Sequence, residues 1–188
     1  TFFTADDHEL INDIYGAGET GYVNRRAVFR DIGTRAWFDY LAWANPTEHD
    51  APAHFGSAHF EKGSDVLEDP SADFTNLPLD DMANLHVHWG TPTAGVPDSK
   101  LDGQPGNPNA AVYEIIKVLG PTKLQVKPSA KATGKASYSI GRRCYGKFTV
   151  SNCDFFLLDT RTHRNLHNVD KPDNPQARGP RPIPKHYR

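Results

Sequence analysis

Four strand-like segments follow one another between residues 111 and 161, and any fold of this chain has to place them in a sheet. Their sequences are AVYEIIKVLG, TKLQVKP, ASYSIGRRCYG and KFTVSNCDFFLLDTR. Gly120-Pro121-Thr122 is a turn signal between the first two, and Gly146 separates the last two. The run NCDFFLLD is almost continuously apolar, which predicts a central strand buried on both faces.

The residues before this run predict a strand, a helix and long loops. TFFTA at the start is typical of a short buried strand, and NLHVHWG predicts another. Between 45 and 81, and again after Trp89, turn-forming residues predict loops. The tail 169–188 is rich in Pro, Lys and Arg and should be extended.

The clearest helix is predicted from about Thr20 to Trp43. Apolar residues at three-, four- and seven-residue steps build one stripe: Tyr22, Phe29, Ile32, Ala36, Tyr40 and Trp43. Arginines lie mostly off that stripe: Arg25, Arg26, Arg30 and Arg35. We interpret them as a solvated face, with a basic rim over an anion site as the alternative.

Composition limits the partners of the chain. Its 188 residues include 21 basic and 23 acidic side chains, so no overall charge favours nucleic acid. No apolar run approaches the roughly 20 residues of a membrane span. No signal peptide or initiator Met is visible, and we expect the chain to be a portion of a longer protein. Cys144 and Cys153 are predicted to be buried free thiols rather than a disulfide.

The stretch TFFTADDHELIND places acids and an imidazole where a strand ends and a helix begins. One interpretation is a capping box, in which Asp6 caps the helix and Glu9 reaches back to its backbone amide. The other is a site beyond the carboxyl end of a strand. There Asp7 offers a hard oxygen ligand to a cation such as Ca²⁺, and His8 can protonate a leaving alkoxide.

The stretch FFLLDTRTHR repeats this arrangement. Asp159 and Arg161 follow a predicted buried strand, and a guanidinium there can make a bidentate contact with a phosphate. An internal Asp–Arg pair that fastens the strand end is equally compatible with the sequence.

Histidines form two further groups. His86 and His88 are two residues apart on a predicted strand, so their imidazoles face the same side, a possible metal geometry. His49, His54 and His59 lie in a Pro- and Gly-containing segment and are predicted to be surface histidines.

Taken together, TFFTADDHELIND and the later YGKFTVSNCDFFLLDTRTHR resemble the PhoD-like alkaline phosphatases. That family has Asp-Asp-His-Glu after a strand and, downstream, a Gly, a strand and Leu-Asp-Thr-Arg with a further Arg three residues on. Here the downstream positions are Gly146, Leu158, Asp159, Thr160, Arg161 and Arg164.

The resemblance implies an α+β or α/β fold, a mixed β-sheet sandwich with flanking helices that is part of a calcineurin-like metallophosphoesterase core. It implies hydrolysis of phosphate monoesters or diesters with Fe³⁺ and Ca²⁺, in an exported protein that is secreted or periplasmic. Residues 1–168 would be a partial catalytic domain with a loop-rich insertion at about 45–111.

The resemblance also implies roles for individual residues. Asp7 and Asp6 would hold metal, and His8 and Arg161 would be catalytic. Arg161 and Arg164 would bind the substrate phosphate. Glu9 and Asp159 would position the metal-binding and catalytic residues without contacting metal or substrate themselves.

The chain also departs from the family pattern. The upstream Gly-Asp-x-x-Tyr motif and the terminal Gly-Asp-x-His motif are absent, and His163 stands where Tyr is usual. We therefore expect the central part of an enzyme whose N- and C-terminal parts lie elsewhere, and little turnover from this chain alone. Two alternatives remain: a non-catalytic binding or structural domain, and a metal-stabilised module built on His86 and His88.

Overall fold

The computed structural model describes residues 20–21, 25–41, 45, 53–79, 82–88, 107–142 and 145–159, with the backbone alone for 25–27 and 142. These residues form one helix and eight strands. In chain order they are α1 (Arg25–Tyr40), β1 (His54–Phe60), β2 (Val66–Glu68), β3 (Met82–Val87), β4 (Ala111–Gly120), β5 (Lys123–Lys127), β6 (Gly134–Arg142), β7 (Gly146–Val150) and β8 (Cys153–Leu157).

Six antiparallel strands close into a barrel in the order β1-β2-β5-β4-β3-β6. The longest continuous pairing joins β1 to β6, from His54 opposite Ile140 to Phe60 opposite Gly134. The short strand β2 bridges β1 and β5. Closing a sheet into a barrel is one way in which antiparallel sheets limit edge-to-edge association.

The barrel interior is filled by side chains at alternate strand positions. On β6, Ala136, Tyr138 and Ile140 point inward and are at most 2% exposed. The largest apolar side chains with less than 2% exposure come from all six barrel strands and the loop after β2: Phe60, Leu67, Phe74, Leu85, Tyr113, Leu124 and Ile140. This single cluster is the main hydrophobic core of the described residues.

Helix α1 packs on the outer face of β6. The intervening β6 residues point outward, and Ser139 contacts Asp31 of the helix directly. Gly141 lies beneath the same turn, where a Cβ would collide with the Asp31 carboxylate and approach the Arg30 guanidinium to 2.9 Å. The absence of a side chain at Gly141 therefore lets the helix approach the barrel.

The buried face of α1 differs from the predicted apolar stripe. Val28, Asp31, Thr34 and Trp37 are at most 4% exposed, whereas Tyr40 is 80% exposed. Periodicity in apolar residues missed this face because half of it is polar.

The interpretation of the arginines as a solvated face is wrong for Arg30 and consistent with the exposure of Arg35, and the side chains of Arg25 and Arg26 lie outside the described residues. Arg30 is buried, whereas Arg35 is exposed and pairs with Asp39 one turn later, with 3.0 Å between Nε and Oδ2.

The last predicted strand is instead a hairpin of β7 and β8. The turn contains Ser151, whose φ of 56° lies in the left-handed region, followed by Asn152. The expected central strand buried on both faces is wrong, since Phe155 is 46% and Phe156 65% exposed. Cys153 is likewise exposed rather than buried.

The predicted fold class is wrong. The described residues form a closed antiparallel barrel with one helix, not a mixed β-sheet sandwich with flanking helices. The expectation of loop between 45 and 81 is also wrong, because β1 and β2 lie there. The predicted strands at β3, β4, β5 and β6 are confirmed, as is the turn from Gly120 to Thr122. Among the described residues, no helix has the length and hydropathy needed to cross a membrane.

Candidate functional site

The predicted catalytic residues lie outside the part of the chain that the structure describes. This holds for Asp6, Asp7, His8, Glu9, Arg161 and Arg164. The metal-binding, catalytic and phosphate-binding roles of these residues therefore stay predictions. Asp159 is described; it lies two residues beyond the end of β8 and is half-buried.

A first buried polar network joins α1 to the barrel. His86 and His88 leave β3 on the same side, as their spacing predicts, and are 1% and 4% exposed. His86 Nδ1 lies 2.6 Å from Asp31 Oδ2. Ser139 Oγ donates to the same oxygen at 2.7 Å. Asp31 thus accepts hydrogen bonds from two barrel strands, which compensates the burial of its carboxylate.

The hydrogen bonds of this network determine the tautomer of His88. Because the Ser139 hydroxyl donates its one proton to Asp31, it can only accept from His88 Nε2, at 3.1 Å. The Nε2–H tautomer leaves His88 Nδ1 as a bare lone pair with no hydrogen-bond partner among the described residues. Burial, opposed by the charge of Asp31, lowers the pKa of His88 to about 4.

Asp31, His86 and Ser139 have the residue types of a serine-hydrolase triad but not its geometry. In a triad the imidazole accepts the serine proton, whereas Ser139 donates to a carboxylate here. Ser139 is also 0% exposed, so no substrate reaches it. We therefore interpret this network as the attachment of α1 to the barrel.

Among the described residues, no group of three His, Cys, Asp or Glu side chains is arranged to hold a metal ion.

A second network lies where β1 begins. His54 Nε2 donates to the hydroxyl of Tyr138 at 2.9 Å, and that hydroxyl donates to Asp69 Oδ2 at 2.8 Å. Asp69 Oδ1 accepts from the backbone N–H and the hydroxyl of Ser71, at 3.0 and 2.6 Å. Phe74 packs edge-on against the imidazole of His54, with ring centroids 5.6 Å apart. His54 is therefore held in one orientation, contrary to the prediction of a surface histidine.

The electrostatics of this network favour a neutral imidazole and an ionised carboxylate. Burial lowers the pKa of His54, although the charge of Asp69 opposes it. Burial raises the pKa of Asp69, but the hydrogen bonds from Ser71 and Tyr138 outweigh it and the net pKa is lowered. Burial and the neighbouring Asp69 raise the pKa of Tyr138. At neutral pH, His54 keeps its proton on Nε2 and presents an Nδ1 lone pair.

His54 lines a cavity of about 340 Å³ that opens to solvent. Arg35 of α1 lines it, together with Ala53–Phe55 at the start of β1 and Asp73, Asn76 and Leu77 from the loop after β2. Four of these residues are polar or charged and three are apolar, and the volume lies within the range of small-molecule sites, about 300 to 1,000 Å³. This cavity is the candidate site of the described residues.

The sequence carried only weak signals for this cavity. Asp69 and Asp73 each accept from a residue two positions later, the hydrogen bonding of turn-forming aspartates, and both lie in LEDPSADFT. The pattern indicated a turn but not the barrel strand beside it. The partnership of His54 with Tyr138, 84 residues later, has no local signature.

Comparisons with protein-family models, curated proteins and solved structures found no match to this chain. The resemblance to the PhoD-like phosphatases therefore rests on the two motifs alone.

Proposed function

We propose that this chain carries part of a metal-dependent phosphoesterase that hydrolyses phosphate monoesters or diesters. The observation that carries the proposal is the pair of motifs, Asp6-Asp7-His8-Glu9 and Leu158-Asp159-Thr160-Arg161, in the order and context of the PhoD-like family. The barrel strands all fall between the two motifs in sequence. Asp159, the described acid of the second motif, lies two residues beyond the end of β8.

The residue chemistry of the motifs fits the proposed metals. Carboxylates such as Asp6 and Asp7 are ligands for hard cations, Ca²⁺ among them. Bound metal ions supply polarisation of the phosphoryl group and an activated water. The residues of the chain then have separate tasks: Arg161 and Arg164 hold phosphoryl oxygens through charge-assisted hydrogen bonds, and His8 protonates the leaving alkoxide.

The test separates metal binding from phosphate binding, because a two-metal site needs more ligands than these motifs supply and turnover is expected to be low. The full chain is incubated with Fe³⁺ and Ca²⁺, and bound metal and bound inorganic phosphate are measured by equilibrium dialysis. Asp7→Asn should weaken metal binding at least about tenfold. Arg161→Ala should leave metal binding intact and weaken phosphate binding about tenfold.

Two exposed barrel residues serve as controls, Glu114→Gln for the carboxylate and Lys135→Ala for the cation. Both should bind metal and phosphate like the unaltered chain. If Asp7→Asn or Arg161→Ala behaves like its control, the phosphoesterase proposal is wrong.

The alternative, a non-catalytic binding or structural domain, is favoured by one observation. Among the described residues, the core that fills the closed barrel includes neither Leu158 nor Asp159. On that alternative, neither the metal nor the phosphate measurement responds to the motif variants.

A further inference from the structure

We propose that the cavity beside His54 binds a small zwitterion, a molecule with one ammonium and one carboxylate group and the size of a free amino acid. This inference is independent of the phosphoesterase proposal, since it uses none of the motif residues.

The cavity has an apolar wall and polar groups from separate elements. Ala53, Phe55 and Leu77 supply apolar surface, and Phe55 remains 39% exposed. Its volume of about 340 Å³ lies at the lower end of the range for small-molecule sites, about 300 to 1,000 Å³. This volume suits a ligand of amino-acid size with an apolar side chain against Phe55.

Arg35 supplies the positive charge of the cavity. Its Nε contacts both carboxylate oxygens of Asp39, at 3.0 and 3.3 Å. Both side chains are about half exposed, at 46% and 49%, so this ion pair contributes little to stability and a ligand can compete for the guanidinium. The two terminal nitrogens of Arg35 have no other partner among the described residues and can hold a carboxylate bidentately.

Asp73 supplies the negative charge, from the loop after β2. Its Oδ1 accepts from the N–H and the hydroxyl of Thr75, and these hydrogen bonds lower the pKa of Asp73, so the group is ionised. Oδ2 has no hydrogen bond within the described part of the chain. An ammonium group is the complementary partner for this oxygen.

His54 adds a second acceptor for the same ammonium. Its Nε2 proton is engaged by the Tyr138 hydroxyl, which is in turn held by Asp69, so the ring offers only the Nδ1 lone pair. A ligand that carried only negative charge would be repelled by the carboxylate of Asp73 and by this lone pair. A ligand that carried only positive charge would be repelled by the guanidinium of Arg35. A zwitterion satisfies both ends.

The experiment compares three probes on the full chain by ligand-observed NMR titration. L-Leucine carries both charges, leucinamide lacks the carboxylate, and N-acetyl-leucine lacks the ammonium. L-Leucine should bind in the millimolar range or tighter, and each of the other two at least about tenfold more weakly.

Variants assign the binding to the cavity. Arg35→Gln and Asp73→Asn should each weaken L-leucine binding about five- to tenfold. Lys62→Gln and Glu114→Gln, exposed charges that do not line the cavity, should leave it unchanged. The proposal is overturned if a singly charged probe binds as tightly as L-leucine, if L-leucine shows no binding at about 20 mM, or if the cavity variants match the controls. None of these results affects the metal and phosphate test.

Discussion

At the scale of single residues, this protein stabilises buried polar groups by pairing them across long sequence separations. Asp31 is 0% exposed and accepts from His86 and Ser139, which are 55 and 108 residues away. Asp69 accepts from Tyr138, 69 residues away. Because an unpaired buried polar group costs about 1–3 kcal/mol, the Asp31 bonds favour one position of α1 on the barrel, and the Asp69 bond favours one position of the loop after β2 against β6.

The neutral state of His88 predicts acid sensitivity. In the folded chain its pKa is about 4, whereas in the unfolded chain it has its ordinary value of 6.5. Between these values the unfolded chain binds the proton and the folded chain does not, so the contribution of His88 to stability is lost as the pH falls through 6.5 toward 4. Between about pH 7.5 and pH 5 this loss is about 2 kcal/mol.

His88→Gln, which keeps a donor for Ser139 and has no titrating group, should remove this part of the pH dependence. The free energy of unfolding is measured by urea denaturation at both pH values. His59→Gln, at an exposed position of β1, is the matched control and should retain the loss. Equal pH dependence in the two variants would show that folding does not lower the pKa of His88.

At the scale of elements, the position of α1 depends on a close approach to β6. The helix buries a face that is half polar, and its contact with the barrel passes over Gly141. By contrast, β7 and β8 form a separate two-stranded sheet with exposed Phe155 and Phe156. An isolated two-stranded hairpin is only marginally stable in water, so the helix–barrel contact and the hairpin should differ in stability.

Gly141→Ala should destabilise the helix–barrel contact. The added methyl group collides with Asp31 and Arg30, so the helix must shift and the buried hydrogen bonds of Asp31 must stretch. We expect a loss of about 1–3 kcal/mol in the free energy of unfolding, measured by urea denaturation with circular dichroism. Gly120→Ala is the control, because a methyl group there meets nothing within 4 Å. A loss of similar size in both variants would contradict a close approach at Gly141.

At the scale of the whole molecule, one core spans the closed barrel. β1 and β6 complete the closure, and buried residues from all six strands contact one another inside it. The loop after β2 contributes Phe74 to the same core and Asp73 to the cavity. The cavity is therefore formed only when the barrel is closed and α1 is in place.

Leu124→Ala should lower the free energy of unfolding of the whole barrel. Leu124 is 0% exposed on β5, and truncating a buried leucine costs about 2–5 kcal/mol. Leu119→Ala, at a 46% exposed position of the neighbouring strand β4, should cost less than about 1 kcal/mol. The midpoints of urea denaturation of the two variants measure both losses of stability. Similar midpoints would mean that Leu124 does not lie in a packed interior.

Local patterns in the sequence determined the strands β3, β4, β5 and β6, the turn at Gly120-Pro121-Thr122 and the existence of α1, because each is specified by residues close along the chain. The two motifs that motivate the phosphoesterase proposal are likewise sequence features. The spacing of His86 and His88 was also enough to place both imidazoles on one side of β3.

Tertiary structure alone decided the closure of the barrel, the polar buried face of α1 and the cavity beside His54. β1 was mistaken for loop because its Gly and polar residues are tolerated only through pairing with β6, about 80 residues later. Asp31 and His54 gained their roles from partners on distant strands. Hydrophobic periodicity indicates which residues of one helix or strand are buried. It contains no information on which polar groups of two different elements form hydrogen bonds with each other.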